Sequence, residues 1–217
     1  MKTAAFTKSY GNRTVLRLPA LDLPEGMITA VIGANGSGKS TLARVLAGIE
    51  AADGNTTVLK DCSVGYLPQK SYAFRMSTRR NILLNGEDSA RAEELMQALG
   101  LEDLARQRAG KLSGGETAKM ALCRLLMGTY RLLILDEPTA AMDMESTLAA
   151  EELIRKRCRE TGCGVLLITH SIQQARRLAS RAIFLHKGEL AEQGDAERVL
   201  YLPQDPLTQR FLEVYGV

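Results

Sequence analysis

One stretch limits the possible folds more than any other: Gly33-Ala34-Asn35-Gly36-Ser37-Gly38-Lys39-Ser40-Thr41. It satisfies GxxxxGK[ST] at every fixed position. Its glycines let the backbone curl so that successive N–H groups point inward at an anion. A strand must deliver the chain to such a loop and a helix must leave it, because the helix N-terminus adds its partial positive charge. Both flanks are legible. Ile28–Ile32 is an unbroken apolar run that reads as a buried strand. Leu42, Val45 and Leu46 recur at helical spacing, and Gly48 is a C-terminal stop. Lys39 is placed to reach the β- and γ-phosphates, and the Ser40 hydroxyl to ligate Mg²⁺. Alone, the loop reads only as nucleoside triphosphate binding. Kinase, GTPase and transport ATPase remain open.

The rest of the chain supplies the sheet that the loop needs. Short apolar strands are expected at 64–67, 132–135 and 164–169, with helices over 116–127 and 144–160. Ser171 can cap a helix over 172–179. Residues 182–186, the Lys187-Gly188 turn and residues 189–193 read as a hairpin. A short helix and tail follow around Pro203 and Pro206. Residues 70–111 differ: they carry a helix near 90–99 and no convincing strand, and read as a helical lobe inserted in the core. Alternating strands and helices imply an α/β fold with a mainly parallel sheet.

A second chemical feature is Leu132-Leu133-Ile134-Leu135-Asp136-Glu137, a buried strand ending in two carboxylates. Ligands of open α/β sheets bind at that end. Asp136 is placed to hold Mg²⁺, and Glu137 to polarise an attacking water as general base. Charge excludes other classes. Over 217 residues the net charge is only +3, so no nucleic-acid partner is implied. No apolar run approaches the roughly 18 residues of a membrane span, and the N-terminus has no signal-peptide pattern. Cys62, Cys123, Cys158 and Cys163 show no metal-ligand spacing and read as reduced thiols.

Leu112-Ser113-Gly114-Gly115-Glu116, together with the two features above, resembles the signature of the ATP-binding cassette (ABC) ATPases. The resemblance covers about residues 10–194. It implies a phosphate-loop NTPase core with a mainly parallel sheet, a small antiparallel β lobe and an inserted helical lobe of about 70–115. Residues 1–217 then form one ABC ATPase domain. By the same resemblance Gln69 matches the Q-loop glutamine near Mg²⁺, residues 140–143 match the D-loop with Asp143 at its end, and His170 matches the switch histidine. Tyr10 sits where the family places an aromatic residue that stacks on adenine. In the family, Ser113, Gly114 and Gly115 grip ATP held by the opposite subunit. Two chains therefore close head-to-tail around two ATP molecules.

The chain also departs from the family pattern. Lys119 stands where Arg is usual after the signature, keeping the charge without the planar fork. The span from Lys39 to Gln69 is short for the family, which implies a trimmed antiparallel lobe near 51–61. No catalytic group is missing. The implied function is an ATP-hydrolysing subunit that energises a membrane transporter, expected to be a small-solute importer with separate permease subunits. It would lie in the cytoplasm, peripheral to the inner face of the membrane. Tyr72, Phe74 and Met76, after the Q-loop, are candidates for docking a permease helix. The alternative is a soluble ABC ATPase in a non-transport role such as iron–sulfur cluster assembly.

Overall fold

The computed structural model describes residues 1–216. Eight strands form one sheet: β1 (Phe6–Tyr10), β2 (Arg13–Leu18), β3 (Ile28–Ile32), β4 (Val64–Leu67), β5 (Leu132–Asp136), β6 (Gly164–Ile168), β7 (Arg181–His186) and β8 (Glu189–Asp195). Their spatial order is β1-β2-β8-β7-β3-β6-β5-β4. The run from β7 through β3, β6 and β5 to β4 is parallel. The pairs β1–β2 and β7–β8 are antiparallel hairpins.

Every residue of β3, β5 and β6 is buried. Parallel strands with both faces covered by helices read as continuous apolar runs, and this is why the sequence discloses these three. The pleat then divides them. Leu133, Leu135, Val165 and Leu167 join α4 (Gly114–Met127) and α5 (Met144–Thr161) on one face. Leu132, Ile134, Leu166 and Ile168 join α1 (Lys39–Leu46) on the other. Full burial of each such aliphatic side chain contributes about 1.5–3 kcal/mol.

Between β4 and α4 the chain is helical, with α2 (Thr78–Ile82) and α3 (Ser89–Ala98). A single bridge, Ser77 to Arg108, is its only β pairing among the described residues. The expected helix near 90–99 is therefore α3. The five-residue α2 is too short to show periodicity, but its Asn81 is fully buried and saturated. Asn81 accepts from Phe74 N and Arg124 Nη1, and donates to the carbonyls of Phe74 and Ser77.

The segment 51–63 contains no strand, as the short span implied. Asn55 and Asp61 there take positive φ. The antiparallel portion is supplied instead by the two hairpins, and the β1–β2 pair was not read from the sequence. The β7–β8 turn falls at Lys187 and Gly188, at φ 48° and 85°, the mirror-image turn that suits strand twist. After α6 (Ile172–Leu178), the C-terminal region makes two helices rather than a helix and tail: α7 (Ala196–Tyr201) and α8 (Pro206–Tyr215). Pro206 opens α8 and Asp205 caps it.

Candidate active site

The loop of residues 33–38 can be glycine-rich only. Gly33 has φ 149°, and a Cβ there would lie 2.3 Å from the Leu185 carbonyl and 2.8 Å from Ser37 Oγ. Gly38 has φ 100°, and a Cβ there would lie 2.4 Å from Leu16 Cδ2. The loop borders a cavity of about 450 Å³. Asn35, Gly36, Gly38, Lys39, Ser40 and Thr41 line it from α1 and the loop, facing Gln69, Asp136 and Glu137. The two strand-end acids and the phosphate loop are thus brought together as expected.

Lys39 Nζ donates to the carbonyls of Gly33 at 2.8 Å and Ala34 at 3.0 Å. Burial pushes its ammonium below the usual range, opposed by Glu137 and Asp136. Asp136 is 2% exposed. Burial pushes its carboxyl above the usual range, opposed by a hydrogen bond with Ser40 and by the charges of Arg44 and Lys39. Asp136 Oδ1 and Ser37 Oγ are buried without a hydrogen-bond partner among the described residues. Buried polar atoms without partners are rare, and of these two residues Asp136 lines the cavity.

Register explains the next pair. Asp136 on β5 lies opposite Ile168 on β6, so the two strands end side by side. Glu137 N donates to the Ile168 carbonyl at 2.9 Å, and Glu137 adopts φ 53°. That left-handed conformation costs a non-glycine residue on the order of 1 kcal/mol. It aims the carboxylate across β6, where Glu137 Oε2 lies 2.8 Å from His170 Nδ1. The sequence placed both residues at strand ends but held no sign of this direct contact.

Other candidates lie elsewhere. Tyr10 ends β1; the residue is 46% exposed and its hydroxyl donates to Glu50. Lys8 Nζ sits 5.1 Å from the ring centroid. Tyr10 does not line the cavity; Val15, on β2, does. Val15 was missed because the β1–β2 hairpin was missed. Ser113 caps α4 through a capping box: its Oγ accepts from Glu116 N at 3.3 Å, and its own N donates to Glu116 Oε2 at 2.7 Å. Gly115 passes under the 137–143 segment, where a Cβ would lie 2.8 Å from the Ala141 carbonyl. Asp143 caps α5, accepting from Ser146 N at 2.8 Å and Ser146 Oγ at 2.9 Å, with Lys119 Nζ at 3.8 Å. None of Ser113, Gly114, Gly115 and Asp143 lines the phosphate-loop cavity of its own chain.

The ABC transporter family model matches residues 16–140. The chain belongs to this family. It is 38% identical over 202 residues to the tungstate uptake system ATP-binding protein TupC of Peptoclostridium acidaminophilum, spanning 85% of this chain and 94% of that one. It is 34% identical over 196 residues to the aliphatic sulfonates import ATP-binding protein SsuB of Pectobacterium atrosepticum, spanning 86% and 74%. A dimeric cassette, MJ0796, solved in a post-hydrolysis state with ADP and Pi, shares its fold with a TM-score of 0.78 and 25% identity, spanning 90% of this chain and 98% of that one. As an ABC ATPase, the chain binds ATP and hydrolyses it. Among the described residues, no helix is long and apolar enough to cross a membrane.

Proposed function

We propose that this ABC ATPase drives an importer of a small solute, working as a head-to-tail homodimer on separate permease subunits at the inner face of the cell membrane. One observation carries the dimer. The phosphate loop, Asp136 and Glu137 meet around one cavity and His170 touches Glu137, while Ser113, Gly114 and Gly115 head a helix outside that cavity. Each chain then holds two half-sites, and hydrolysis needs the loop of one to face the signature of the other. The importer reading is supported by relatives named for tungstate and sulfonate uptake. It suggests an oxyanion cargo, and the non-transport alternative is not favoured.

Within a half-site, the backbone N–H groups of residues 34–41 and Lys39 would bind the β- and γ-phosphates. Ser40 and Asp136 would hold Mg²⁺, with Gln69 beside it. The partnerless Oδ1 of buried Asp136 fits that role, since a hard cation takes oxygen ligands. The ion supplies charge neutralisation at the phosphates when bound. Glu137 would accept the proton of the attacking water, His170 would hold the water's surroundings, and Tyr10 would stack on adenine. Tyr72 and Phe74, 64% and 43% exposed beside the Q-loop, would receive a permease helix.

Light scattering of a Glu137→Gln chain tests the dimer. The expected result is a monomer without nucleotide and a dimer with saturating ATP. A nucleotide-saturated monomer at all concentrations would sink the shared-site reading. Permease docking is checked separately with Phe74→Asp, which is expected to abolish co-purification with the membrane subunits.

A further inference from the structure

Glu151 has no part in the site described so far, yet it sits on α5 with 1% exposure. A carboxylate desolvated that far needs close partners, since an unpaired one costs several kcal/mol. Arg177 on α6 donates Nε and Nη2 to it at 2.9 and 2.6 Å, a two-pronged contact. Gln174, also on α6 and 3% exposed, donates Nε2 to Glu151 Oε1 at 3.2 Å. The same nitrogen donates to Thr139 Oγ1 at 2.8 Å. Both amide hydrogens are engaged, so the amide has one orientation.

These contacts join three elements. Thr139 lies two residues beyond Glu137, in the segment whose Ala141 carbonyl lies against Gly115. α6 starts at its cap, Ser171, directly after His170, and Gln174 N donates to Ser171 Oγ at 3.1 Å. Gln174 is therefore fastened by its backbone to the turn that carries His170, and by its side chain to the turn that follows Glu137. Glu151 and Arg177 hold the amide from the α5 side. An apolar cluster of equal volume could pack there at similar stability. What the polar network adds is a fixed geometry.

We propose that Gln174 and Glu151 are positioning residues for ATP hydrolysis: through Thr139 and Ser171 they set the separation of Glu137 and His170. The inference rests on the catalytic reading of Glu137. A displacement of about 1 Å at such a site lowers a rate by up to about 100-fold.

Steady-state ATPase kinetics test it. Thr139→Val removes the acceptor at nearly constant volume, and Thr139→Ser keeps the hydroxyl while losing the methyl. The expected result is about a 10-fold fall in kcat for Thr139→Val and for Gln174→Leu, with KM for ATP changed less than about twofold and kcat restored in Thr139→Ser. A packing role alone would not favour serine over valine. Wild-type kcat in Thr139→Val, or equal slowing in Thr139→Ser, would overturn the proposal. Should Gln174→Leu not fold, the Thr139 pair decides, because it leaves every contact of Glu151 intact. Glu137→Gln is measured alongside. If it kept turnover, the catalytic reading and this inference would fall together. If it lost turnover while Thr139→Val stayed fast, this inference alone would fail.

Discussion

The phosphate loop and the signature turn both end at a helix N-terminus, and they treat it in opposite ways. Gly38 precedes α1 and offers no side chain to cap it, and no acid stands in the first turn. Ser113 precedes α4 and closes a capping box with Glu116. A helix start leaves four N–H groups without intrahelical partners. At α1 they are left for an anion. At α4 part of that demand is met internally, and the Glu116 carboxylate already complements the positive end. The first region is unfinished without a ligand, and the partnerless Asp136 oxygen beside it suits the cation that accompanies phosphate. The second is capped by its own residues, and in the proposed shared site its hydroxyl would meet a phosphate held by another chain.

The sharpest test of this contrast is at the chemistry between the halves. Glu137→Gln is expected to lower phosphate release by about 10²–10⁴-fold while binding ATP normally. Retained turnover would show that the strand-end acid is not the base. Next comes Lys39→Ala on the loop side. It should weaken ATP binding about 100-fold in calorimetric titration, the effect of losing charge-assisted hydrogen bonds. Ser113→Ala is the counterpart on the signature side. Monomer affinity for ATP should be unchanged, ATP-driven dimerisation should weaken, and the cap should cost about 1 kcal/mol in denaturant melts. If Ser113→Ala weakened binding to the monomer as Lys39→Ala does, the division into two halves would be wrong.

The smallest expected effect concerns stability. The Asp136 carboxyl is raised in the folded chain, chiefly by burial. Such a group contributes stability below its unfolded pKa and loses it as pH rises through the folded pKa. At neutral pH the ionised carboxylate therefore destabilises the nucleotide-free chain. Asp136→Asn should raise its Tm by about 2–4 °C at pH 7.5 and flatten the pH dependence, while abolishing Mg²⁺-dependent hydrolysis. An unchanged Tm would mean that Asp136 is well satisfied without a cation.

The two halves also differed in how far the sequence disclosed them. The phosphate loop and β3, β5 and β6 are local patterns: glycines at fixed spacing, and runs apolar on both faces. Ser113 to Gly115 look like an ordinary helix start, and only the resemblance to a known family gave them a ligand. The β1–β2 hairpin escaped because Thr7, Lys8, Ser9, Arg13 and Thr14 are polar and unburied, with a register shift at Lys8 and Ser9 that breaks alternation. Val15 escaped with it. Glu137 is legible as the residue after a buried strand, but its left-handed backbone and its reach to His170 follow from the pairing of β5 with β6. The Glu151, Gln174 and Thr139 contacts join residues 23 and 35 positions apart, beyond any local pattern.

Lys39 closes its ammonium on the carbonyls of Gly33 and Ala34. A free lysine side chain loses up to about 2 kcal/mol of rotamer entropy when it is fixed, and here that freedom is already gone. Nucleotide arrival exchanges one set of acceptors for another. In stopped-flow mixing the capture rate should rise linearly with ATP, without a separate slow phase for loop ordering. In the proposed shared site two chains must also meet, so turnover per chain of the free subunit should climb with chain concentration.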